Sequence, residues 1–431
     1  MPLPLPPLAF DSALDALQRV WGYPAFRPGQ QAIVDAVLAG EDLFVIAPTS
    51  FGKSVCFQLP AVMRPDRPIL VVSPLIALMQ DQVQQARGRG IRALSLTSHL
   101  SREEMRDALA QMPASQIVYA APERLDNLEF QQRLAVNPPW LVALDEAHSI
   151  GGEAGLSYRP AYRFVAEMVA RSGRQTQWLA LTASATREAV RDMQERLRLA
   201  SARVIRLSCT RPNLAYRVEH LRQQDKLARV ARLVRDAVTE GAAIVYTLSR
   251  KDAEEVVAPL LQRVGVQALH YHAGMPAQER RSVERAFFSR QVPVVVSTCA
   301  FGMGVDRPDV RLVVMHGMPK SVEDFYQSMG RAGRDGLPAR CVALFDDRAD
   351  VSLRRFLASK DNKLDQNQWT TQHGWQDAKL KDATALQLRM LDECTRFLSS
   401  RRCREQLLRA HFDEQVGDPC GRCDNCAPSL D

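Results

Sequence analysis

Two stretches carry residue types suited to phosphate chemistry. The first, "APTSFGKS" (47 to 54), follows the apolar run "DLFVIAP" and stands where a helix would open. Such a loop points backbone N–H groups at phosphate oxygens. Gly52 stands where a side chain would collide, Lys53 reaches the β- and γ-phosphates, Ser54 holds magnesium, and Thr49 and Ser50 complete the cradle. The usual GxxxxGKS pattern fails at its first position, which is Ala47, and Ser50 and Phe51 stand where many such loops carry glycine. Downstream, "LDEAH" (144 to 148) ends another apolar run in an acidic pair. At the C-terminal end of a parallel strand, Asp145 is suited to bind magnesium and Glu146 to orient and deprotonate an attacking water, with His148 counted beside them. A chance GKS and a solvated helix start are the plain readings of these stretches, and their coexistence in one chain argues against both.

A third constellation lies near the C-terminus, where Cys420, Cys423 and Cys426 form CxxCxxC within "PCGRCDNCAP". Soft thiolates at this spacing can wrap one zinc ion but supply only three ligands, so a fourth is expected upstream. Such a metal would hold together a segment too small for its own core. An iron–sulfur cluster and a redox thiol set are the competing readings. Cys56, Cys209, Cys299 and Cys341 are scattered beside apolar sequence and read as reduced core residues.

The elements that must position these groups follow a regular rhythm. Short apolar runs recur at 42 to 48, 69 to 74, 117 to 122, 140 to 146 and 178 to 184, and again at 243 to 249, 292 to 298, 311 to 317 and 341 to 346. Continuous runs separated by helical stretches indicate parallel strands covered on both faces. The spacing predicts two α/β domains in tandem, with a boundary near "SCTRPNLAY" (208 to 216). After Ser352 the strands stop. Residues 358 to 380 read as a linker, and 383 to 412 as a helical hairpin broken near Ser399 and Ser400. Arg401, Arg402, Arg404 and Arg409 lie on that hairpin as candidate phosphate contacts or as a solvated basic face.

The 431 residues are 46% hydrophobic with a net charge of +7, which suits a soluble protein and only mildly favours a polyanionic partner. No window approaches 18 consecutive apolar residues, and the proline-rich "MPLPLPPLAF" is a poor signal peptide. A cytoplasmic location, nucleoid-associated in a bacterium, with no membrane partner, is the expectation.

From about Trp21 to Cys426 the chain resembles the RecQ family of superfamily 2 DExH-box helicases. "WGYPAFRPGQ" (21 to 30) is similar to the family's adenine-recognition motif, which implies Tyr23, Arg27 and Gln30 at the base. "SPLIALMQDQV" (73 to 83) and "APERL" (121 to 125) resemble DNA-contact motifs, with Ser73 a candidate contact, and "LTASAT" (181 to 186) the segment coupling the two lobes. "TRPN" (210 to 213), "YHAGM" (271 to 275), "STCAFGMGVDRPDVR" (297 to 311) and "YQSMGRAGRDG" (326 to 336) complete the set in order. The resemblance implies that Gln327, Arg331 and Arg334 project from the second domain to the γ-phosphate, where an arginine finger contributes on the order of 10³ to 10⁵ in rate. It further implies Cys403 as the fourth zinc ligand, with Cys394 the competitor. The implied fold is two RecA-like domains, 1 to 208 and 209 to 348, followed by a linker and small helical zinc-binding domain, 349 to 431. The implied activity is ATP-, magnesium- and zinc-dependent 3′ to 5′ movement on single-stranded and tailed duplex DNA, in repair or recombination.

Two departures qualify the resemblance. Where the family carries an aromatic and polar loop that senses single-stranded DNA, this chain has "SIGGEAGLSYRPAY" (149 to 162), keeping Tyr158, Arg159, Pro160 and Tyr162 but lacking the tryptophan, histidine and aspartate. Stacking on an aromatic is worth roughly 1 to 3 kcal/mol per base, so weaker or differently triggered DNA stimulation is expected. In addition, only "APSLD" follows Cys426, where many relatives append a winged helix and a small helical domain, so a protein partner is expected to supply duplex binding. An RNA helicase on the same engine, and a DNA-binding subunit of a repair or defence assembly with uncoupled ATP use, stand as alternatives.

Overall fold

The computed structural model describes residues 10–74, 76–97, 100–150, 165, 167, 176–298, 301, 307–356 and 377–428; Tyr158, Arg159 and the rest of the candidate sensor loop beyond residue 150, and Cys299, lie outside them. The chain divides into two compact units, Met1–Ser208 and Cys209–Asp431. In the first, β1 (Leu43–Ile46), β2 (Ile69–Val72), β3 (Ala93–Leu96), β4 (Ile117–Ala120), β5 (Leu141–Leu144), β6 (Gln177–Thr182) and β7 (Arg203–Arg206) form one sheet in the order β3-β4-β2-β5-β6-β1-β7. In the second, β8 (Leu214–His220), β9 (Ala242–Thr247), β10 (Ala268–Tyr271), β11 (Val294–Ser297), β12 (Val310–His316) and β13 (Ala339–Phe345) form a sheet in the order β10-β11-β9-β12-β13-β8. Every described pairing in both sheets is parallel.

The apolar runs are continuous because both faces are buried. Successive residues of a strand point to opposite faces, so Phe44, Leu70, Val142 and Leu144 join one core while Leu43, Val45, Ile69 and Leu141 join the other. β3, β7, β8 and β10 are not among the predicted runs. They lie at sheet edges, where a strand needs a less continuous apolar pattern: β7 is partly exposed and β8 alternates buried with half-buried residues. Among the described residues no helix is long and apolar enough to cross a membrane.

The C-terminal segment packs within the second unit, with a helix over Asp377–Ser399 and another over Arg404–His411. The first begins inside the stretch predicted as linker, and Cys403 caps the second instead of lying within it. The basic hairpin is corrected in part: Arg401 and Arg402 are exposed, but the other two arginines are engaged. Arg404 is buried, donating to Asp424 at 2.8 Å and to the carbonyls of Phe397 and Leu398, which have no partner inside their own helix end; Arg409 is paired with Glu414. Arg404 thus offers no free phosphate contact, whereas the Arg409 side chain remains 26% exposed.

His411, at the end of the second helix, meets Glu323, in the first turn of the helix Val322–Met329, at 2.5 Å. Burial alone would lower the His411 pKa, but the hydrogen bond it donates to the Glu323 carboxylate, with the charges of Glu323, Glu393 and Asp413, outweighs burial and raises it; burial likewise opposes the lowering of Glu323, and His411 prevails. The contact therefore contributes fully between the unfolded carboxylate pKa of about 4.3 and the unfolded imidazole pKa of about 6.5. It is lost as pH falls through the depressed Glu323 pKa and as pH rises through the elevated His411 pKa. Thermal midpoints of the parent chain and His411→Gln, followed across this range, should differ most near pH 5 to 6 and converge at both ends; a constant difference would exclude the pair as a source of pH dependence.

Candidate active site

β1 ends at Ile46 and the chain turns through residues 47–54 into the helix Val55–Met63. The turn depends on two left-handed residues, Ser50 (φ 67°) and Gly52 (φ 83°). At Gly52 a Cβ would stand 3.0 Å from the Gln30 amide, so the predicted need for glycine has a specific cause. Gln30 is buried, and its Nε2 donates to the carbonyls of Phe51 (3.3 Å) and Gly52 (3.1 Å) while its Oε1 accepts from the Arg27 backbone at 3.2 Å. The segment predicted to recognise adenine is thus fastened to the phosphate loop. Tyr23 is exposed. Lys53 donates to the Ala47 carbonyl at 3.3 Å, a bond that phosphate oxygens at the loop would replace.

Because the strands are parallel, their C-terminal ends share one edge. Ile46 of β1 pairs with Thr182 of β6, Ala180 of β6 with Leu144 of β5, and Leu144 with Val72 of β2. That register gathers the phosphate loop, Thr182, Asp145 and Ser73. Asp145 Oδ1 accepts from the Glu146 backbone at 3.0 Å, and Glu146 itself has a left-handed backbone (φ 50°). His148 Nδ1 lies 3.4 Å from the Glu146 carboxylate and 3.2 Å from Thr182 Oγ1, and Thr182 in turn donates to the Ser184 carbonyl at 3.2 Å. A chain of polar contacts therefore joins "DEAH" to "LTASAT".

Burial, and then the Glu146 carboxylate beside it, push the Asp145 carboxyl up to about 7, with the Lys53 ammonium near enough to oppose them. A divalent cation would reverse the first two causes, since its charge favours the carboxylate. Burial lowers the His148 pKa, leaving a neutral imidazole at pH 7. Ser73, expected at nucleic acid, is instead 1% exposed with its hydroxyl 3.5 Å from Asp145, because it follows β2 directly beside the acidic pair.

In the second unit Gln327 lies on the helix Val322–Met329, and Arg331 and Arg334 on the following loop. Arg211 and Asn213, from "TRPN", shape that loop. Arg211 is buried and donates to the carbonyls of Gly330, Ala332 and Gly333 (3.4, 3.1 and 2.8 Å); Asn213 donates to those of Gly333 and Leu337 (2.8 and 2.9 Å). Neither residue was singled out from sequence, where only their motif was visible.

Cys403, Cys420, Cys423 and Cys426 bring their sulfurs within 4.8 Å of one another, and Cys394 is not in the group. The Cys420 backbone N–H points at the Cys403 sulfur (3.3 Å) and the Arg404 N–H at that of Cys423 (3.4 Å), bonds that favour thiolates. Four such donors fit a tetrahedral zinc ion. Cys56, Cys209 and Cys341 are buried and unpaired by disulfides. A second gathering, Glu254, His270 and His272, has His272 Nε2 already engaged with Glu254 at 3.1 Å and braces the "YHAGM" turn.

Three family signatures match in order: DEAD/DEAH box helicase over residues 27–193, helicase conserved C-terminal domain over 225–336 and RecQ zinc-binding over 348–427. The "ATP-dependent DNA helicase RecQ" of Pasteurella multocida is 35% identical over 418 residues, covering 96% of this chain and 62% of the relative. The "Putative ATP-dependent RNA helicase R290" of Acanthamoeba polyphaga mimivirus is 32% identical over 419 residues, covering 95% and 71%. The chain also spans 66% of the length of the Bacillus subtilis protein "Probable ATP-dependent DNA helicase RecS", to which it is 38% identical over 330 residues, 76% of this chain. It thus spans less than two thirds of either bacterial relative. Among solved structures, the DUF1998 helicase MrfA bound to DNA and AMPPNP superposes with a TM-score of 0.66 at 21% identity, covering 84% of this chain and 54% of that one, a likeness of fold. With two helicase segments followed by the RecQ-type cysteine cluster, in a chain that relatives match almost end to end, this protein belongs to the RecQ family of helicases.

Proposed function

We propose that the chain is an ATP- and magnesium-dependent DNA helicase that moves 3′ to 5′ along single-stranded DNA and acts in repair or recombination. The observation that carries this reading is the gathering of Lys53, Asp145, Glu146, His148 and Thr182 at one edge of a parallel sheet. In it, Tyr23, Arg27 and Gln30 receive adenine, and Thr49, Ser50, Gly52, Lys53 and Ser54 cradle the phosphates. Ser54 and Asp145 hold magnesium, and Glu146 takes the proton of the attacking water. His148 reports the state of that carboxylate to Thr182 and so to the segment linking hydrolysis with movement. Arg331 and Arg334 neutralise charge on the γ-phosphate, and Gln327 offers its amide as a hydrogen-bonding group there, as the two units close. Tyr158 and Arg159 contact the single strand, and Cys403, Cys420, Cys423 and Cys426 hold a structural zinc ion.

RNA is the second substrate to weigh, because one relative carries an RNA helicase name. Unwinding of 3′-tailed DNA, 5′-tailed DNA and 3′-tailed RNA duplexes by this chain is the direct comparison. Only the 3′-tailed DNA should open, with Lys53→Ala inactive; preference for RNA or for a 5′ tail would reverse the assignment. Glu146→Gln should slow ATP turnover on the order of 10²- to 10⁴-fold while the nucleotide still binds. Single-stranded DNA should raise the parent rate only modestly.

Metal content offers an independent check. The purified chain should carry about one zinc ion, lost in Cys403→Ser and retained in Cys394→Ser. Retention in the former would move the fourth ligand elsewhere.

A further inference from the structure

The cysteine cluster does more than close its own segment. Between Cys420 and Cys423 lies Arg422, whose guanidinium leaves the cluster and reaches the first residue of β8 and the stretch that leads into it. Its Nε donates to the Leu214 carbonyl at 3.0 Å and its Nη2 to the Arg211 carbonyl at 3.4 Å, while Nη1 returns to the Cys420 carbonyl at 3.2 Å and Glu405 pairs with the same group. The stretch is held from two other sides, since the Cys209 carbonyl accepts from Tyr326 Oη at 3.0 Å and the Cys209 N–H donates to Glu414 at 2.6 Å.

From this clamped strap two side chains extend to the loop carrying Arg331 and Arg334. Arg211 and Asn213 together make five donations to four carbonyls of that loop and its end, Gly330, Ala332, Gly333 and Leu337. Gly333, with φ 55°, lets the loop pass so close that a Cβ there would stand 2.8 Å from the Leu337 carbonyl. Of these carbonyls that of Gly333 also accepts from the Gly336 N–H at 3.1 Å, so the loop's shape is set by this one turn together with the side-chain donors brought to it. An unbroken set of contacts therefore runs from the cysteine cluster through Arg422 and the strap to the arginine loop.

We infer that Arg211 and Asn213 are positioning residues for Arg331 and Arg334, and that Arg422 holds them in register from within the cysteine cluster. The integrity of the cluster thereby sets the rate of ATP hydrolysis, in addition to the stability of the C-terminal segment. This rests on the proposed role of Arg331 and Arg334 at the γ-phosphate. Contacts that act only when charge develops in the transition state affect turnover more than substrate binding.

The test uses the full zinc-loaded chain with saturating single-stranded DNA. Asn213→Ala, Arg211→Lys and Arg422→Gln should each lower kcat on the order of 10- to 100-fold, the scale expected when a reacting group is displaced by about 1 Å, with KM for ATP changed less than about twofold. Binding of ADP with aluminium fluoride should weaken in parallel, while affinity for a non-hydrolysable ATP analogue stays put. Asn425→Ala serves as the control: Asn425 ties the cluster to the carbonyls of Ser400 and Arg402 without touching the strap, so it should lower the melting temperature and leave kcat alone. Should Arg422→Gln shed its zinc, Asn213→Ala, which lies outside the cluster, decides the matter. Unchanged kcat and transition-state-analogue binding in Asn213→Ala would overturn the inference, as would a kcat loss in Asn425→Ala equal to that in Arg422→Gln. A parent chain lacking Lys53-dependent hydrolysis would instead defeat the reading of the nucleotide site itself.

Discussion

The parallel register of β2, β5, β6 and β1 is the constraint on which the chemistry of the first unit depends. Each of these strands is buried on both faces, so a slip of one residue would exchange the two cores and carry Asp145 to the wrong side of the sheet. With the register fixed, four strands end side by side, and the phosphate loop, the acidic pair, His148 and Thr182 follow from where they end. The same burial that fixes the register raises the Asp145 carboxyl, and the Glu146 carboxylate beside it raises it further, a like-charge repulsion that a bound cation would relieve.

The second unit solves a different problem. A parallel sheet must end somewhere, and β8 is an edge strand with unpaired backbone groups on one side. The cysteine segment covers them: the Asp424 N–H donates to the Tyr216 carbonyl at 3.0 Å, and the Val218 N–H donates to the Asp424 carboxylate at 3.1 Å. Asp424 is also the partner of buried Arg404, so sheet edge, helix start and cysteine cluster share one carboxylate. A segment too small to build its own core is stabilised by completing another element's hydrogen bonds.

Much of this was legible in the chain itself. The long apolar runs marked the strands buried on both faces, and "APTSFGKS", "DEAH" and CxxCxxC named the groups of both clusters, because their chemistry depends on local spacing. The edge strands were not legible, since β7 and β8 need no continuous apolar run. Arg404 and Arg409 read as a basic face because charge alone does not reveal that Asp424 and Glu414 come to meet them. Ser73 was read from its motif, and its burial against Asp145 comes from β5 lying next to β2.

What the sequence by itself determined is therefore the inventory: which residues could hold phosphate, activate water or bind a soft metal, since these abilities reside in a side chain and its near neighbours. What only the tertiary structure decided is which distant groups share a site. The contact of His148 with Thr182, the separation of Cys394 from the other thiols and the grip of Arg211 on the arginine loop arise from strand order and packing between residues far apart in the chain. No local pattern encodes those distances, because they are set by how the buried faces of many elements fit together at once.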